Sequence, residues 1–321
     1  MTELPADLSQ RSQSLLPEDR WAAAIEQRQS GIRRVALRVN TLRSTREHAA
    51  AELAAAGVAT RDGAWMPDAL VVERGTVAEI QACSGNAAGA WYIQSLASIA
   101  VGHALAPKPG QRVLDACAAP GSKASHLAAL MQNQGNLIAA DASKARIFRL
   151  HAVLEQLGAI AQTKVERAER WGRRSPSTFD AILVDVPCSA EGRALAGDDE
   201  SAADWSLRKC RRLASEQKSI LHSAIDACAP GGVIVYSTCT IGPEENEEVL
   251  ERALRLYAGR VALEPVPVQV PGAMPGLPQW KGSAFPPELA AAVRIAPLAA
   301  SQHPDGPWLE GFFIARLRKL G

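Results

Sequence analysis

Aromatic side chains are scarce in this chain, 5% of 321 residues, so a surface that grips unpaired bases on stacked rings is not an obvious expectation. An excess of one charge is missing too. The formal net charge is +1, which neither demands nor forbids a polyanionic partner. No apolar run reaches membrane-spanning length, and the opening MTELPADLSQ lacks the basic and then apolar order of a secretory signal. A cytoplasmic monomer with no membrane partner is expected. The cysteines Cys83, Cys117, Cys188, Cys210, Cys228 and Cys239 form no CxxC pair and have no histidine at ligand spacing, which excludes the usual zinc sites and leaves no metal expected. A disulfide framework is equally unsupported. With 47% hydrophobic residues, the chain can build two modest domains or one large one with an appendage.

What the chain does have is one dense stretch, Arg112 to Lys123, reading RVLDACAAPGSK. Val113 and Leu114 running into Asp115 read as a buried parallel strand. The residues from Ala116 to Ser122 are nearly all small, so backbone there can come close to a ligand. Lys123 opens a segment with Leu127, Leu130 and Met131 at helical spacing. A loop between a strand's carboxyl end and a helix's amino end is where open α/β sheets bind nucleotide-like ligands. Ala124 stands where Walker A needs Ser or Thr, and Gly121, the only glycine of the loop, cannot make the dinucleotide fingerprint. A wide loop without a phosphate cradle suits a ligand without pyrophosphate, S-adenosylmethionine being the commonest. Asp141, closing the apolar run Asn136 to Ala140, stands where an acid would take ribose hydroxyls.

Residues 1 to about 30 read as Ala-rich helix with Trp21 and Ile25 on one side, able to pack on the domain that follows. Val35 to Asn40 alternates apolar residues with Ala36, Arg38 and Asn40, which reads as a strand with one wet face. Thr45 to Ala56 reads as a helix ended by Gly57, and Leu70 to Val72 as a second strand. Together these suggest a small α/β (RRM-like) module within residues 1–105, with outward arginines, of the kind that holds RNA. Arginine and lysine crowd three places: Arg28, Arg33, Arg34, Arg38, Arg43 and Arg46; Arg208, Lys209, Arg211 and Arg212; and Arg316, Arg318 and Lys319. Phosphate contact needs such clusters, and solvated faces also produce them.

Trp91 to Leu105 is expected as a helix leading into a second domain, residues 106–321. There, strands are expected at Arg112 to Ala116, Asn136 to Ala140, Ala181 to Asp185, Gly232 to Ser237 and Gly311 to Leu317. Helices are expected between them at Lys123 to Met131, Ser143 to Leu157, Leu213 to Ala229 and Pro243 to Tyr257. That alternation predicts an α/β, mostly parallel, doubly wound sheet. The interval Pro265 to Pro287 reads as a surface excursion.

Two thiols stand just past buried strands. Phe179 to Val184 runs out into Asp185, Val186, Pro187 and Cys188, and Val233 to Tyr236 into Ser237, Thr238 and Cys239, both on the edge of the Ala116 to Ser122 loop. Pro243 with Glu244 and Glu245 reads as a helix start, which would put Cys239 near a helix amino terminus and favour its thiolate. Lone cysteines are usually small core residues, but beside a methyl donor a thiolate has specific work. Carbon 5 of cytosine is too poor a nucleophile to attack a sulfonium methyl until a thiolate adds at carbon 6 and makes it enamine-like. Asp185 is placed to bind the ring's polar edge and stabilise the charge that builds. Spacing does not say which thiol attacks.

DACAAPGSK (115–123), VDVPCSAEG (184–192) and VYSTCTIGPEENEEV (235–249) resemble, in order, three motifs of the RNA cytosine-C5 methyltransferases of the Sun, RsmB and RsmF family. GFFIARL (311–317) is similar to that family's closing strand, and LRVNTL (37–42) with WYIQS (91–95) to its lead-in, so the resemblance covers about the whole chain. SAEG and the run through Trp205 look most like the RsmF type, whose usual substrate is small-subunit ribosomal RNA. The resemblance implies a Rossmann-like S-adenosylmethionine-dependent methyltransferase sheet, and 5-methylcytosine made in RNA, rRNA before tRNA. It implies Cys239 as the nucleophile and Cys188 in release. It implies further that backbone at Cys117, Ala118, Ala119, Pro120, Gly121, Ser122 and Lys123 holds the methionine part of the cofactor and Asp141 the ribose. Asp185 would face both the reacting base and the cofactor, with Arg146 supporting the cofactor side.

DNA cytosine methyltransferases use the thiol at the Cys188 position instead. The missing glutamine after Cys188 and the lack of a large target-recognition insertion count against that alternative. A ribosome assembly factor that kept the fold and lost the chemistry is the other rival, and both thiols with Asp185 count against it. The sequence also departs from the family pattern. Lys164 to Arg170 (KVERAER) carries no aspartate for the adenine and leaves Glu166 and Glu169 as candidates. Ala124 and Ser125 replace a usual pair of threonines and Ala190 a usual glycine. Asp198 to Glu200 falls where relatives often place a basic residue for RNA. RsmF-type enzymes commonly continue into a C-terminal RNA-binding domain, whereas Gly321 is the last residue here.

Overall fold

The computed structural model describes residues 3–321 apart from 33 and 64. Arg33 of the first arginine cluster therefore lies outside the described residues. The chain opens with two helices, α1 (Ala6–Leu15) and α2 (Glu18–Gln29), rather than one. Pro17 separates them: Leu16 before it is extended, at φ −107° and ψ 142°, as a residue preceding proline prefers. These helices seat far along the chain. Leu8 packs with Ala194 and Ala202, and Leu15 and Leu16 pack with Leu195, Ile241 and Ala296.

The small module follows as β1 (Ala36–Val39), α3 (Arg46–Ala55), β2 (Ala59–Asp62), β3 (Ala69–Arg74), α4 (Val77–Ala82), α5 (Ser84–Ala87) and β4 (Trp91–Ile93). Its sheet runs β2-β3-β1-β4 with antiparallel neighbours. Thr45 caps α3 by accepting from the His48 N–H, and Thr76 and Glu79 form a capping box on α4. The expected helix from Trp91 is replaced by strand as far as Ile93, paired Val39 to Trp91 and Leu37 to Ile93. Trp, Tyr and Ile favour a half-buried pleat, and Ser95 is the residue that starts the helix α6 (Leu96–Leu105), accepting from the Ser98 N–H.

The expected wet face of β1 is also overturned. Every residue from Val35 to Asn40 is buried. Arg38 donates to Gln94 at 2.9 Å and to the Ser125 hydroxyl at 2.8 Å, and Asn40 donates to the Gly89 and Leu157 carbonyls, each at 2.8 Å. Burial pushes the Arg38 guanidinium down to about 10. Alternation marked these residues as polar, but each has one partner in the second domain, Ser125 for Arg38 and Leu157 for Asn40, so the polar face is a seam and not a surface. Asp68, just before β3, reaches across the same seam to His103 of α6, 2.6 Å away, and to His126, 2.8 Å away.

The large sheet is built from β5 (Arg112–Asp115), α7 (Ser122–Leu130), β6 (Asn136–Asp141), α8 (Lys144–Leu157), β7 (Gln162–Val165), α9 (Trp171–Arg174), β8 (Phe179–Asp185), α10 (Glu191–Leu195), α11 (Asp199–Ala203), α12 (Leu207–Ala227), β9 (Cys228–Thr238) and α13 (Glu247–Leu256). It is completed by β10 (Val261–Glu264), β11 (Met274–Pro275), β14 (Val293–Ile295) and β15 (Phe312–Lys319), while β12 (Gln279–Trp280) and β13 (Ser283–Ala284) form a separate hairpin. The order is β11-β14-β15-β9-β8-β5-β6-β7, with β10 also on β15. Strands β5 to β9 are parallel and β15 is antiparallel to β9. This is the α/β, Rossmann-like architecture that the alternation predicts. From β5 the chain moves outward through β6 to β7, then returns to β8 on the other side. That reversal opens a crevice at the carboxyl ends of β5 and β8. The Pro265 to Pro287 excursion holds β11 and the hairpin. No helix among the described residues is long and apolar enough to cross a membrane.

Candidate active site

The loop after β5 is drawn tight from three sides. The Ala118 N–H donates to the Ala140 carbonyl of β6 at 2.7 Å, and Arg146 of α8 donates to the Ala119 carbonyl while pairing with Asp141 at 3.0 Å. Gly121 caps α7 at φ +117°, and a Cβ there would lie 3.0 Å from Leu150 and 3.1 Å from Val153, so only glycine lets α8 pack this closely. Asp141 is buried and accepts from the Ser143 N–H at 2.9 Å. The loop residues Cys117 to Lys123, Asp141 and Arg146 are thus brought together, as the sequence suggests.

Three carboxylates face this loop, and one has no partner of its own. Asp115 is fully buried; one oxygen accepts from the Cys117 N–H at 3.4 Å and the other has no hydrogen bond. Burial, and then the charge of Asp185, push its carboxyl up to about 7 against the pull of Lys123. The same causes, burial first and the acids Asp115, Asp185 and Asp141 after it, hold the Cys117 thiol well above its usual value. A pocket short of positive charge suits a ligand that brings its own. S-adenosylmethionine, with an ammonium and a sulfonium, fits that donor set.

Glu166 and Glu169, the candidates for the adenine, both have arginine partners. The Glu166 N–H donates to the Asp141 carbonyl at 3.0 Å, which puts the residue on the right edge. Its carboxylate, however, pairs with Arg174 and accepts from the Arg167 N–H, and Glu169 pairs with Arg167 at 2.9 Å.

Strands β8 and β9 are parallel neighbours in register Asp185 to Ser237, so the thiols just beyond them meet. Cys188 and Cys239 have their sulfurs 3.1 Å apart, and the Cys239 N–H donates to the Cys188 sulfur at 3.3 Å. Asp185 accepts from the Ser237 hydroxyl at 2.7 Å and pairs with Lys123 at 2.9 Å. Burial works against the Lys123 charge, but Asp185 outweighs it and the ammonium lies above its usual value. The bond to Cys239, and then burial, push the Cys188 thiol well above its usual value, so Cys188 is a sulfur that keeps its proton at rest.

One expectation fails here. Pro243–Glu245 forms a single 3-10 turn, Asn246 breaks it at φ −119° and ψ −92°, and α13 begins only at Glu247. Cys239 therefore gains nothing from a helix dipole, because Pro-Glu-Glu starts a turn that does not continue. The charge of Cys239 acts on Lys123 and Arg193.

Behind the sulfurs lies a buried polar network of which the sequence gives only fragments. Glu191, fully buried, accepts from Arg11 of α1 at 2.9 Å, from the Trp205 indole at 3.0 Å and from the Thr240 hydroxyl at 2.6 Å. Arg11 also pairs with Glu244. Glu245 accepts from the Ser189 N–H at 3.0 Å and from Gln217 at 2.8 Å, and burial pushes its carboxyl up to about 7. The Gly192 N–H donates to the Cys239 carbonyl at 3.0 Å. A Cβ on Gly192 would lie 1.8 Å from the Gly311 carbonyl oxygen, so glycine is required where α10 meets the start of β15. Thr240 follows one thiol and Ser189 the other, and their hydroxyls are 3.0 Å apart. Glu191 holds the Thr240 side, Glu245 holds Ser189, and the two hydroxyls join the loops.

The arginine clusters divide. Arg28 is buried against the Ala194 carbonyl and Asp199, and Arg316 and Arg318 pair with Glu264. These, with Arg38, hold the fold. Arg208, Arg211 and Arg212 stay exposed. The acids Asp198 and Asp199 serve the structure: Asp198 caps α11 by accepting from the Ser201 N–H, and Asp199 receives Arg28.

With this geometry in view, comparison with known proteins is decisive. The 16S rRNA methyltransferase RsmB/F family matches residues 102–318, and the ferredoxin-like domain of RsmF/B-like methyltransferases matches residues 4–78. The chain belongs to the RsmB/F methyltransferase family. Ribosomal RNA small subunit methyltransferase F of Serratia proteamaculans is 35% identical over 79% of this chain and 50% of its own length. That of Cronobacter sakazakii is 33% identical over 89% of this chain and 57% of its own. The chain thus spans about half the length of the curated relatives it matches. A crystal structure of a methyltransferase homologue from Pyrococcus horikoshii superimposes with a TM-score of 0.77 at 28% identity, covering 99% of this chain and 100% of that one. The methyl donor of the RsmB/F family is S-adenosylmethionine.

Proposed function

We propose that the chain transfers a methyl group from S-adenosylmethionine to carbon 5 of a cytosine in RNA, with small-subunit rRNA as the substrate. The observation that carries this reading is the pair of free sulfurs 3.1 Å apart, beside the Asp185–Lys123 ion pair and at the same sheet edge as the Ala116–Ser122 loop. Backbone of Cys117 to Lys123, with Asp141, Arg146 and Asp185, would hold the cofactor, which supplies an electrophilic methyl when bound. The names of the small-subunit rRNA methyltransferase relatives support the choice of substrate.

In the proposed mechanism the Cys239 thiolate adds to carbon 6, and the electron pair displaced from the ring double bond makes carbon 5 nucleophilic. Asp185, held by Ser237 and Lys123, binds the polar edge of the base and steadies the charge that accumulates there. After carbon 5 has gained its methyl, that carbon loses its proton. The electron pair of the broken carbon–hydrogen bond re-forms the double bond and expels the Cys239 sulfur. Cys188 assists this release: with its own thiol proton passed to solvent, it takes the proton from carbon 5 as the Cys239 sulfur leaves, so each turnover ends with Cys188 protonated again and one proton released. Lys123 and Arg193 supply the positive field in which Cys239 leaves as an anion. Bisulfite mapping of rRNA and tRNA from cells with and without the gene tests the reading. One or more small-subunit rRNA cytosines should lose protection without the gene; unchanged rRNA with an altered tRNA position would overturn the choice of substrate.

A further inference from the structure

A cleft of about 630 Å³ lies between the small module and the large sheet, and of its lining only Arg193 enters the steps above. One wall comes from the link between α2 and β1 and from the end of β4, and the other from the turn after α10; Trp308 and Glu310, just ahead of β15, complete it. Two of its residues, Arg193 and Glu310, connect it to the reaction centre. Arg193 in the cleft follows Gly192, which is bonded to the Cys239 carbonyl, and the charges of Cys239 and Glu310 both reach Arg193. Glu310 accepts from the Ser95 hydroxyl and lies within the field of Lys123 and Asp185. Elsewhere in the cleft, the Arg34 guanidinium lies 4.8 Å over the Trp308 ring, and the indole N–H donates to the Val35 carbonyl at 3.0 Å, which fixes the ring.

A base held against Cys239 stays covalently joined to its neighbours, so the strand needs a channel that begins at the reaction centre. Arg193 and Glu310 tie this cleft to that centre, and its volume falls in the range of roughly 300–1,000 Å³ typical of small-ligand sites. A guanidinium layered on an indole offers a flat cationic face on which any base can stack. Arg193 is more than half exposed in its pair with Asp198. Such a pair holds weakly, and a phosphate can take the place of the carboxylate. We infer that the cleft seats the nucleotide flanking the target cytosine, its base on the Arg34–Trp308 layer and its phosphate on Arg193. This rests on the RNA reading given above. Recognition by stacking makes the flanking position tolerant of sequence, with single-stranded RNA required.

The test uses the full chain, an unmodified 16S rRNA transcript and single-stranded RNA carrying 4-thiouridine. Arg34→Gln, at an exposed position, and Trp308→Ala should each raise KM for RNA about tenfold or more. The kcat at saturating RNA and KM for S-adenosylmethionine should stay unchanged. Ultraviolet crosslinks should map to peptides containing Arg34, Ile93 or Trp308. Unchanged KM for RNA in both variants, with crosslinks outside the cleft, overturns the inference. Crosslinks in the cleft from a protein that forms no 5-methylcytosine would contradict the proposed chemistry and leave the cleft assignment standing.

Discussion

Two buried polar clusters hold this molecule, and they do so on different terms. Behind the thiols, Glu191 is shared by Arg11, Trp205 and Thr240. At the seam between the small module and the large sheet, Asp68 is shared by His103 and His126, while Nδ1 of the buried His126 has no partner and a Cβ on Gly102 would lie 2.3 Å from it. Burial opposes the charge of Asp68, yet the two imidazoles hold its carboxyl well below the usual range. The first cluster ends on the residues beside Cys188 and Cys239; the second ends on α6 and α7 and touches neither sulfur. Polar burial near the sulfurs should therefore govern rate, and polar burial at the seam cohesion.

The largest effect should come from the first cluster. Glu191→Ala would leave an indole N–H and a hydroxyl without their acceptor and the Arg11 guanidinium with Glu244 alone. Breaking a buried pair of this kind costs about 3–5 kcal/mol, and misplacement of the sulfurs should lower kcat at least a hundredfold. Glu191→Gln, which keeps an acceptor oxygen, should recover part of the rate. Chemical denaturation and single-turnover methylation read the two quantities separately.

Breaking the second cluster should separate them the other way. Asp68→Asn removes the charge that both imidazoles face and should cost about 1–3 kcal/mol of stability. The single-turnover rate of the remaining folded enzyme should stay within threefold of the unaltered chain. A loss of rate as large as that of Glu191→Ala would erase the distinction between the clusters.

The smallest expected effect is in pH dependence. Burial pushes His126 down from 6.5 to about 4. The unfolded chain takes up that proton as pH falls through 6.5 and the folded chain does not. This stabilisation is complete above pH 6.5 and is lost as pH falls towards 4. Asp115 acts in the opposite sense: its folded carboxyl is pushed from 3.8 up to about 7, so stability declines as pH rises between those values. Relative to the unaltered chain, His126→Gln should gain about 2 kcal/mol more at pH 5 than at pH 8, and Asp115→Asn about 2 kcal/mol more at pH 8 than at pH 5. Denaturation at the two pH values, without cofactor, measures both.

The same contrast explains what could be read from the sequence. The loop at Ala116–Ser122 and both thiols were legible because each is a short run just beyond a buried strand, and parallel pairing brings such strand ends to one edge. Arg11 was not, because its acid partner Glu191 lies 180 residues away and no local pattern announces the pair. Alternation in Val35 to Asn40 identified polar side chains correctly. Whether water or another domain covers such a face is decided by tertiary packing, and here Arg38 meets Ser125. Pro-Glu-Glu after Cys239 carries a genuine helix-start signal, and Asn246 ends it within one turn. The acids Glu166 and Glu169 stand near the cofactor edge, yet local arginines claim both.

The most direct measurement is a denaturing gel of RNA-bound protein from two single variants supplied with S-adenosylmethionine. Cys188→Ala should accumulate a protein–RNA adduct that survives denaturation, because methyl transfer proceeds and release stalls. Cys239→Ala should form neither adduct nor 5-methylcytosine. Turnover by Cys239→Ala, or an adduct that forms with Cys239→Ala and not with Cys188→Ala, would contradict the assignment of Cys239 as the attacking sulfur.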